Sequence, residues 1–250
     1  QSKEAALEEE AVLKVELRVG GQRARYYTRL VRASELSIGN CIAFAQDFHE
    51  KAFAKTNTEE LEQYLEPGEE SDNTTLQTVN IHSNSYHIQW GDLKPQKVTE
   101  PEWSIKESNT VYTSLQAKYQ VSCQSESGEE IYNVCEFFRV RQSEGKMYLL
   151  DYERTMNQVF GGSKAVPDRY HFELGMTEEV PYLTNTDGSM LCFVQERELW
   201  SYNKEKNELA KVFGFAKDTD ARTLNDEHSV RVILMEDNGN ITSVSYTHLT

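Results

Sequence analysis

The sequence predicts an α+β fold: two helices on a curved antiparallel sheet, preceded by a β-hairpin of a sandwich and followed by the start of a β-propeller. Three patterns carry this prediction. A period-two alternation of apolar and polar residues brackets Gly20-Gly21. A helical apolar period then runs from about Ser37 to Lys55 and gives way to long alternating stretches. Beyond Val180, short strands and Asp-Gly or Asn-Gly turns recur.

Residues 11–31 read as the hairpin. Leu13, Val15, Leu17 and Val19 alternate with Lys14, Glu16 and Arg18, and Gly20-Gly21 supplies the positive φ angles of a two-residue turn. On the return strand Ala24, Tyr26, Thr28 and Leu30 take the apolar row. A lone hairpin is marginal in water, so the expected setting is the end of an upstream sandwich.

In the next segment Ile38, Cys41, Ile42, Ala45, Phe48, Ala52 and Phe53 fall on one helical stripe. A second helix is expected over Thr58–Leu65, with Asn57 as its cap, Glu60 reciprocating, and Pro67-Gly68 ending it. Strands follow. One begins at Gln77, Val79 and Ile81 and resumes at Tyr86, Ile88 and Trp90; another holds Trp103 and Ile105. The clearest spans Val111 to Cys123, with Leu115, Ala117, Tyr119 and Val121 on its apolar row. Turns at Ser125–Glu129 and Ser143-Glu144-Gly145 lead into Ile131–Arg141 and Met147–Thr155. Helices followed by long antiparallel strands place the helices on one sheet face.

Gly161-Gly162-Ser163 and Pro167 read as a linker. After it come strands at Val180–Thr184, Met190–Gln195, Glu198–Tyr202, Leu209–Phe215 and Val230–Met235, a meander rhythm that suits propeller blades. The domain bounds expected are 1–33 for the hairpin, 34–160 for the α+β domain, 161–242 for incomplete blades, and 243–250 for a tail foreign to the fold. The sequence thus reads as an internal piece of a longer protein.

Composition narrows the function classes. The 250 residues carry 41 acids against 26 bases, a net charge of -15. Such a surface repels phosphate backbones, so no nucleic-acid partner is expected. The best basic stripe, Arg23, Arg25, Arg29 and Arg32, fits the solvated face of the hairpin. Mean hydropathy is -0.66, and no run approaches the ~18 apolar residues of a membrane span. Cys41, Cys123, Cys135 and Cys192 show no zinc-like spacing. With a turn centred on Ser127-Gly128, Cys123 and Cys135 fall diagonal to each other, too far apart for an unstrained disulfide, and free thiols are expected.

Four stretches carry a family likeness: Tyr26-Tyr27-Thr28-Arg29-Leu30, Glu66-Pro67 through Asp72-Asn73-Thr74-Thr75-Leu76-Gln77, Tyr132-Asn133-Val134 through Asp151-Tyr152-Glu153-Arg154-Thr155-Met156-Asn157, and Phe193-Val194-Gln195-Glu196 with Glu198-Leu199-Trp200-Ser201-Tyr202-Asn203. Together they resemble uncharacterised multi-domain cell-envelope proteins of Gram-positive gut bacteria, up to about Thr242. The last residues, Val244-Ser245-Tyr246-Thr247-His248-Leu249-Thr250, resemble a translated sequencing adapter on a metagenomic fragment. The envelope resemblance implies an amino-terminal membrane anchor and an extracytoplasmic location, and it brings no catalytic residues. In element order alone, the central unit resembles nuclear-transport-factor or SnoaL-like cone folds, an analogy that assigns no function.

Candidate chemistry is sparse. Asp47, His49 and Glu50 lie on the first helix, and His82 and His87 in the strand region. His49-Glu50-Lys51-Ala52-Phe53 lacks the second His of HExxH, and His82 and His87 fall on opposite strand faces. No metal site is expected. Asp151, Glu153 and Arg154 lie near Arg139 and Arg141, where a cross-strand ion pair fixing sheet register competes with a general base in an apolar cavity. The aromatic set Phe44, Phe48, Phe53, Trp90, Trp103, Tyr119, Phe137 and Phe138 reads mostly as core. Gly-rich phosphate loops and GxSxG are absent. No catalytic residue, cofactor or metal ligand is therefore assigned. The leading expectation is a non-catalytic scaffold or sensor contacting a protein or small ligand. The competing one is an enzyme with Asp47 or Asp151 as base and His49 or His87 assisting.

Overall fold

The computed structural model describes residues 9–32, 36–68, 73–126, 128–161, 171–215 and 228–247. The chain divides into two compact units, Gln1–Asn157 and Gln158–Thr250. It combines sheets with a few helices, an α+β composition. No helix among the described residues is long and apolar enough to cross a membrane.

Strands β1 (Glu9–Val19) and β2 (Gln22–Arg32) form the first hairpin. Gly20 and Gly21 take φ of 57° and 82°, which closes a two-residue turn with Val19 opposite Gln22. The register sets Leu13, Val15 and Leu17 against Thr28, Tyr26 and Ala24, so one row is apolar. On the other row Arg18 and Arg25 both donate to Glu16. Arg25, a member of the supposed basic stripe, is thereby partly neutralised.

Helix α1 (Ile38–Ala54) buries Cys41, Ala45, Phe48, His49 and Ala52, the stripe the apolar spacing predicts with one polar addition, His49. Lys55 ends it in the left-handed region, and its ammonium donates to the carbonyls of Gly91 and Leu93. Helix α2 (Thr58–Glu62) is shorter than expected. Asn57 does not cap it through its side chain. Its φ of 52° departs from the extended backbone that side-chain capping needs, and its amide donates to Glu60 instead.

The segment around Tyr86 corrects the sequence reading. Thr78–Asn80 is a strand (β3), but Ser85–Ile88 is a one-turn helix (α3) in place of a resumed strand. Asn84 caps it, its side chain accepting from the His87 N–H at 3.0 Å. The turn closes with Trp90 and Gly91 both at positive φ and the Gly91 N–H donating to the Tyr86 carbonyl.

Strands β4 (Gln96–Lys97), β5 (Glu102–Ser108), β6 (Thr113–Ser125), β7 (Gly128–Ser143) and β8 (Lys146–Gln158) complete a six-stranded sheet. Its order is β3-β8-β7-β6-β4, with β5 also paired to β6. Alternation decides which side chains point inward. Leu115, Ala117, Tyr119, Val121 and Cys123 are buried on β6, and Tyr132, Val134, Glu136, Phe138 and Val140 on β7. Phe137 lies on the opposite row, half-buried under Arg139, and is not core.

The β6–β7 turn is centred one residue earlier than expected, with Ser125 opposite Gly128. Cys123 therefore faces Glu130 and Cys135 faces Lys118, which puts the two thiols on opposite faces of the sheet. Both are free.

In the second unit β9 (Tyr182–Thr184), β10 (Met190–Gln195), β11 (Glu198–Asn203) and β12 (Glu208–Gly214) make a meander in the order β12-β11-β10-β9. Strands β13 (Ser229–Met235) and β14 (Ile241–Tyr246) form a separate hairpin. Cys192 and Leu199 pack with Met235, Met190, Val194 and Ile241. Phe193, Trp200 and Tyr202 lie in an aromatic group with Phe160 and Phe172. No sheet closes on itself among the described residues. Ser243 to Tyr246 belong to β14 and are exposed. Positions 248–250, and 162–170 of the expected linker, lie outside the described residues.

Phe138 is fully buried and touches the rings of Phe48, Trp103 and Tyr152. Phe138→Ala should destabilise the first unit by about 3–5 kcal/mol. The urea transition of that unit checks this.

Candidate functional site

The core of the first unit encloses a polar cluster built from α1, β6, β7 and β8. Helical spacing turns His49 inward one position after Phe48. Strand alternation turns Glu136 inward between Val134 and Phe138, and Tyr152 and Arg154 inward beside Met156. His49 and Glu136 are each 1% exposed, and Tyr152 and Arg154 are each 0% exposed.

His49 Nδ1 lies 2.6 Å from Glu136 Oε2, and the Tyr152 hydroxyl donates to Glu136 Oε1 at 3.0 Å. Both carboxylate oxygens are thus engaged. Burial pushes the Glu136 pKa up, but the charge of His49, its hydrogen bond, the charge of Arg154 and the Tyr152 hydroxyl outweigh burial and hold the carboxyl below its ordinary value. Burial, and then the nearby Glu136 charge, raises both Tyr119 and Tyr152 well above an ordinary tyrosine.

Arg154 has a different task. Its guanidinium donates to the carbonyls of Ile88 and His87 at 2.8 and 3.0 Å and sits 3.9 Å over the Trp90 ring. These carbonyls end α3, where a cation is favoured. Among the described residues, neither Asp151 nor Glu153 pairs with Arg139 or Arg141: Arg139 stacks on Tyr112 and Phe137 and Arg141 on Tyr148, while Arg154 lies on the other face of the sheet.

His49 Nε2 and Arg154 Nε make no hydrogen bond, and the Tyr119 hydroxyl lies at the Glu136 carboxylate. The His49 and Tyr119 rings meet edge to face with centroids 5.1 Å apart. Oε1 of exposed Glu50 lies 3.9 Å from Nε2. The same Glu50 oxygen accepts from Lys97 at 2.7 Å, and Lys97 sits over the Phe53 ring.

The other candidates do not assemble. Asp47 pairs on the surface with Lys51, and Asp151 is half-buried on β8. His82 contacts the Glu66 carbonyl through its ring, and His87 contacts the Asn84 side chain within the α3 turn. No group of three or more His, Cys, Asp or Glu fit to hold a metal is present among the described residues. The sequence reading missed Glu136, although the run Tyr132-Asn133-Val134-Cys135-Glu136-Phe137-Phe138 carries the signal: a carboxylate on an otherwise apolar strand row.

Glu136 has its pKa lowered in the fold, so its contribution to stability is present above its ordinary value of 4.5 and is lost as pH falls through the folded value. Glu136→Gln should flatten this acid limb, as read from urea midpoints across the acid range. Removing one member of a buried charged set costs about 3–5 kcal/mol. Arg154→Ala is expected to fall in that range, with Trp90 fluorescence reporting the loss of its stacked cation. Comparisons with family models, with curated proteins and with solved structures found no match to this chain.

Proposed function

We propose that the chain is a non-catalytic scaffold or sensor module of a bacterial cell-envelope protein, extracytoplasmic and tethered to the membrane in the full-length protein. The observation that carries this reading is the enclosure of Glu136. Among the described residues, the one carboxylate that meets a histidine in the core has both oxygens occupied and is shut off from solvent. A general base needs a free lone pair within reach of its substrate. Among the described residues, neither Asp47 nor Asp151, the other candidates, pairs with a histidine, and Asp47 pairs with Lys51.

The second unit is proposed as the opening of a β-propeller. Support comes from two matching turns. Asn185-Thr186-Asp187-Gly188 and Glu236-Asp237-Asn238-Gly239 each carry a positive-φ glycine, a glycine N–H donating three residues back, and a side-chain oxygen accepting two residues on. The turns touch through Thr186 N–H and Asp237, 51 residues apart in sequence. A repeat of one turn at that period, with sheet packed on hairpin, suits consecutive blades.

The second reading is an enzyme acting on a small molecule, with His49 as base and Glu136 orienting it. The unpartnered His49 Nε2 favours it. The two readings separate on envelopes of a Gram-positive bacterium. The scaffold reading expects saturable retention of a defined envelope component with no chemical change in envelope glycans or peptides. Turnover of such a substrate with nothing retained overturns it, and turnover lost in a folded Glu136→Gln variant hands the site to the second reading.

A further inference from the structure

Strands β1 and β2 form a two-stranded sheet that no other strand extends among the described residues. A hairpin without further strands is marginally stable at best, and an apolar sheet face is stable when another layer covers it. Here one row runs Ala11, Leu13, Val15 and Leu17 on β1, opposite Leu30, Thr28, Tyr26 and Ala24 on β2. The row carries no charge, yet Leu13, Val15, Leu17, Tyr26 and Leu30 are 39–50% exposed. The reverse face holds Lys14, Glu16, Arg18, Arg23 and Arg25 beside Val12 and Tyr27, and its charges keep it in water.

We propose that this row is the interface of a homodimer, in which two hairpins stack face to face about a twofold axis running across the strands. The register makes the row complementary to itself. Every cross-strand pair sets a larger side chain beside a smaller one, and the larger ones alternate between the strands in the order Leu30, Leu13, Tyr26, Leu17. A twofold axis midway between the Leu13–Thr28 and Val15–Tyr26 pairs lays Leu30 on the second copy's Ala24 and Leu17 on its Ala11. The same operation lays Tyr26 on the second copy's Thr28 and Leu13 on its Val15. Each projection meets a recess, which close packing of facing sheets demands.

A twofold axis along the strands also matches the sizes, but it carries both chains off the hairpin at the same end, where β2 leads on to α1. The axis across the strands sends them to opposite ends, which suits two chains that each carry a net charge of -15. On its fractional exposures the row offers roughly 500 Å² per copy, so a pair buries about 1,000 Å², the lower limit for a specific contact. The dimer is therefore weak and reversible. A bilayer is a poorer occupant, because Arg18, Arg23 and Arg25 project away from where the headgroups would lie. The inference stands apart from the scaffold reading, since pairing of two copies requires no envelope component.

The test mixes isotopically labelled and unlabelled full chain and reads methyl contacts between copies. Within one copy Leu30 and Ala24 lie about 20 Å apart along β2, as do Leu17 and Ala11 along β1, so a nuclear Overhauser effect within either pair is intermolecular. Both effects are expected, together with a reversible monomer–dimer equilibrium in sedimentation. Leu30→Ala and Ala24→Leu should each weaken the dimer about tenfold. The double variant, which exchanges projection and recess, should recover to within about threefold of wild type. Arg23→Ala, on the reverse face, should leave association unchanged, and constant tryptophan fluorescence verifies the fold of the first unit in every variant. The proposal is overturned if the wild-type chain sediments as a monomer up to about 1 mM, if it forms open-ended polymers, or if its dimer shows neither methyl contact. It is equally overturned if the double variant associates no better than the single ones, or if the Leu30 methyls shift only with anionic phospholipid vesicles.

Discussion

The ionised Glu136 carboxylate is the constraint around which the first unit is arranged. A charge taken out of water is costly unless it is paired and its lone pairs are filled. Glu136 meets that condition by drawing His49 from α1 and Tyr152 from β8 onto its two oxygens. This fixes the rotation of α1 about its axis, because a helix turned by one residue would present Phe48 or Glu50 to the carboxylate. It also fixes the β7 register, since a one-residue slip would put Glu136 on the outer face. Apolar packing of Phe48, Phe138 and Tyr152 supplies most of the driving force, but it tolerates small shifts that the polar contacts do not.

Much of the framework was legible because it depends on local periodicity. The Gly20-Gly21 hairpin, the apolar stripe of α1, the inward row of β6 and the short strands after Val180 all follow from spacing within a few residues. The failures have local causes too. At Tyr86-His87-Ile88 an apolar alternation mimics a strand, while Asn84 makes a cap that only the helical turn can use. Asn57 has a capping residue's chemistry but a backbone conformation that does not use it.

The polar cluster was half legible. His49 and Arg154 stood out as residues, yet their partners lie 87 and 66 positions away, on elements whose adjacency no local pattern reveals. Glu136 was hidden by the opposite effect. It sits in so strongly apolar a row that the strand assignment absorbed it. In the second unit the aromatic and aliphatic faces of β10 and β11 sort by the same alternation, which puts Phe193 with Trp200 and leaves Cys192 and Val194 for Met235.

Trp90 joins two demands that no single replacement satisfies. Its backbone has φ of 67°, a conformation that glycine or asparagine enters at least cost, while its indole carries the Arg154 guanidinium on one face. A glycine there would relax the main chain and strip the cation of its aromatic seat. An aromatic residue keeps the seat and keeps the strain. Positions 90 and 154 are therefore energetically interlocked, and variation that reaches one of them without the other passes through a less stable chain.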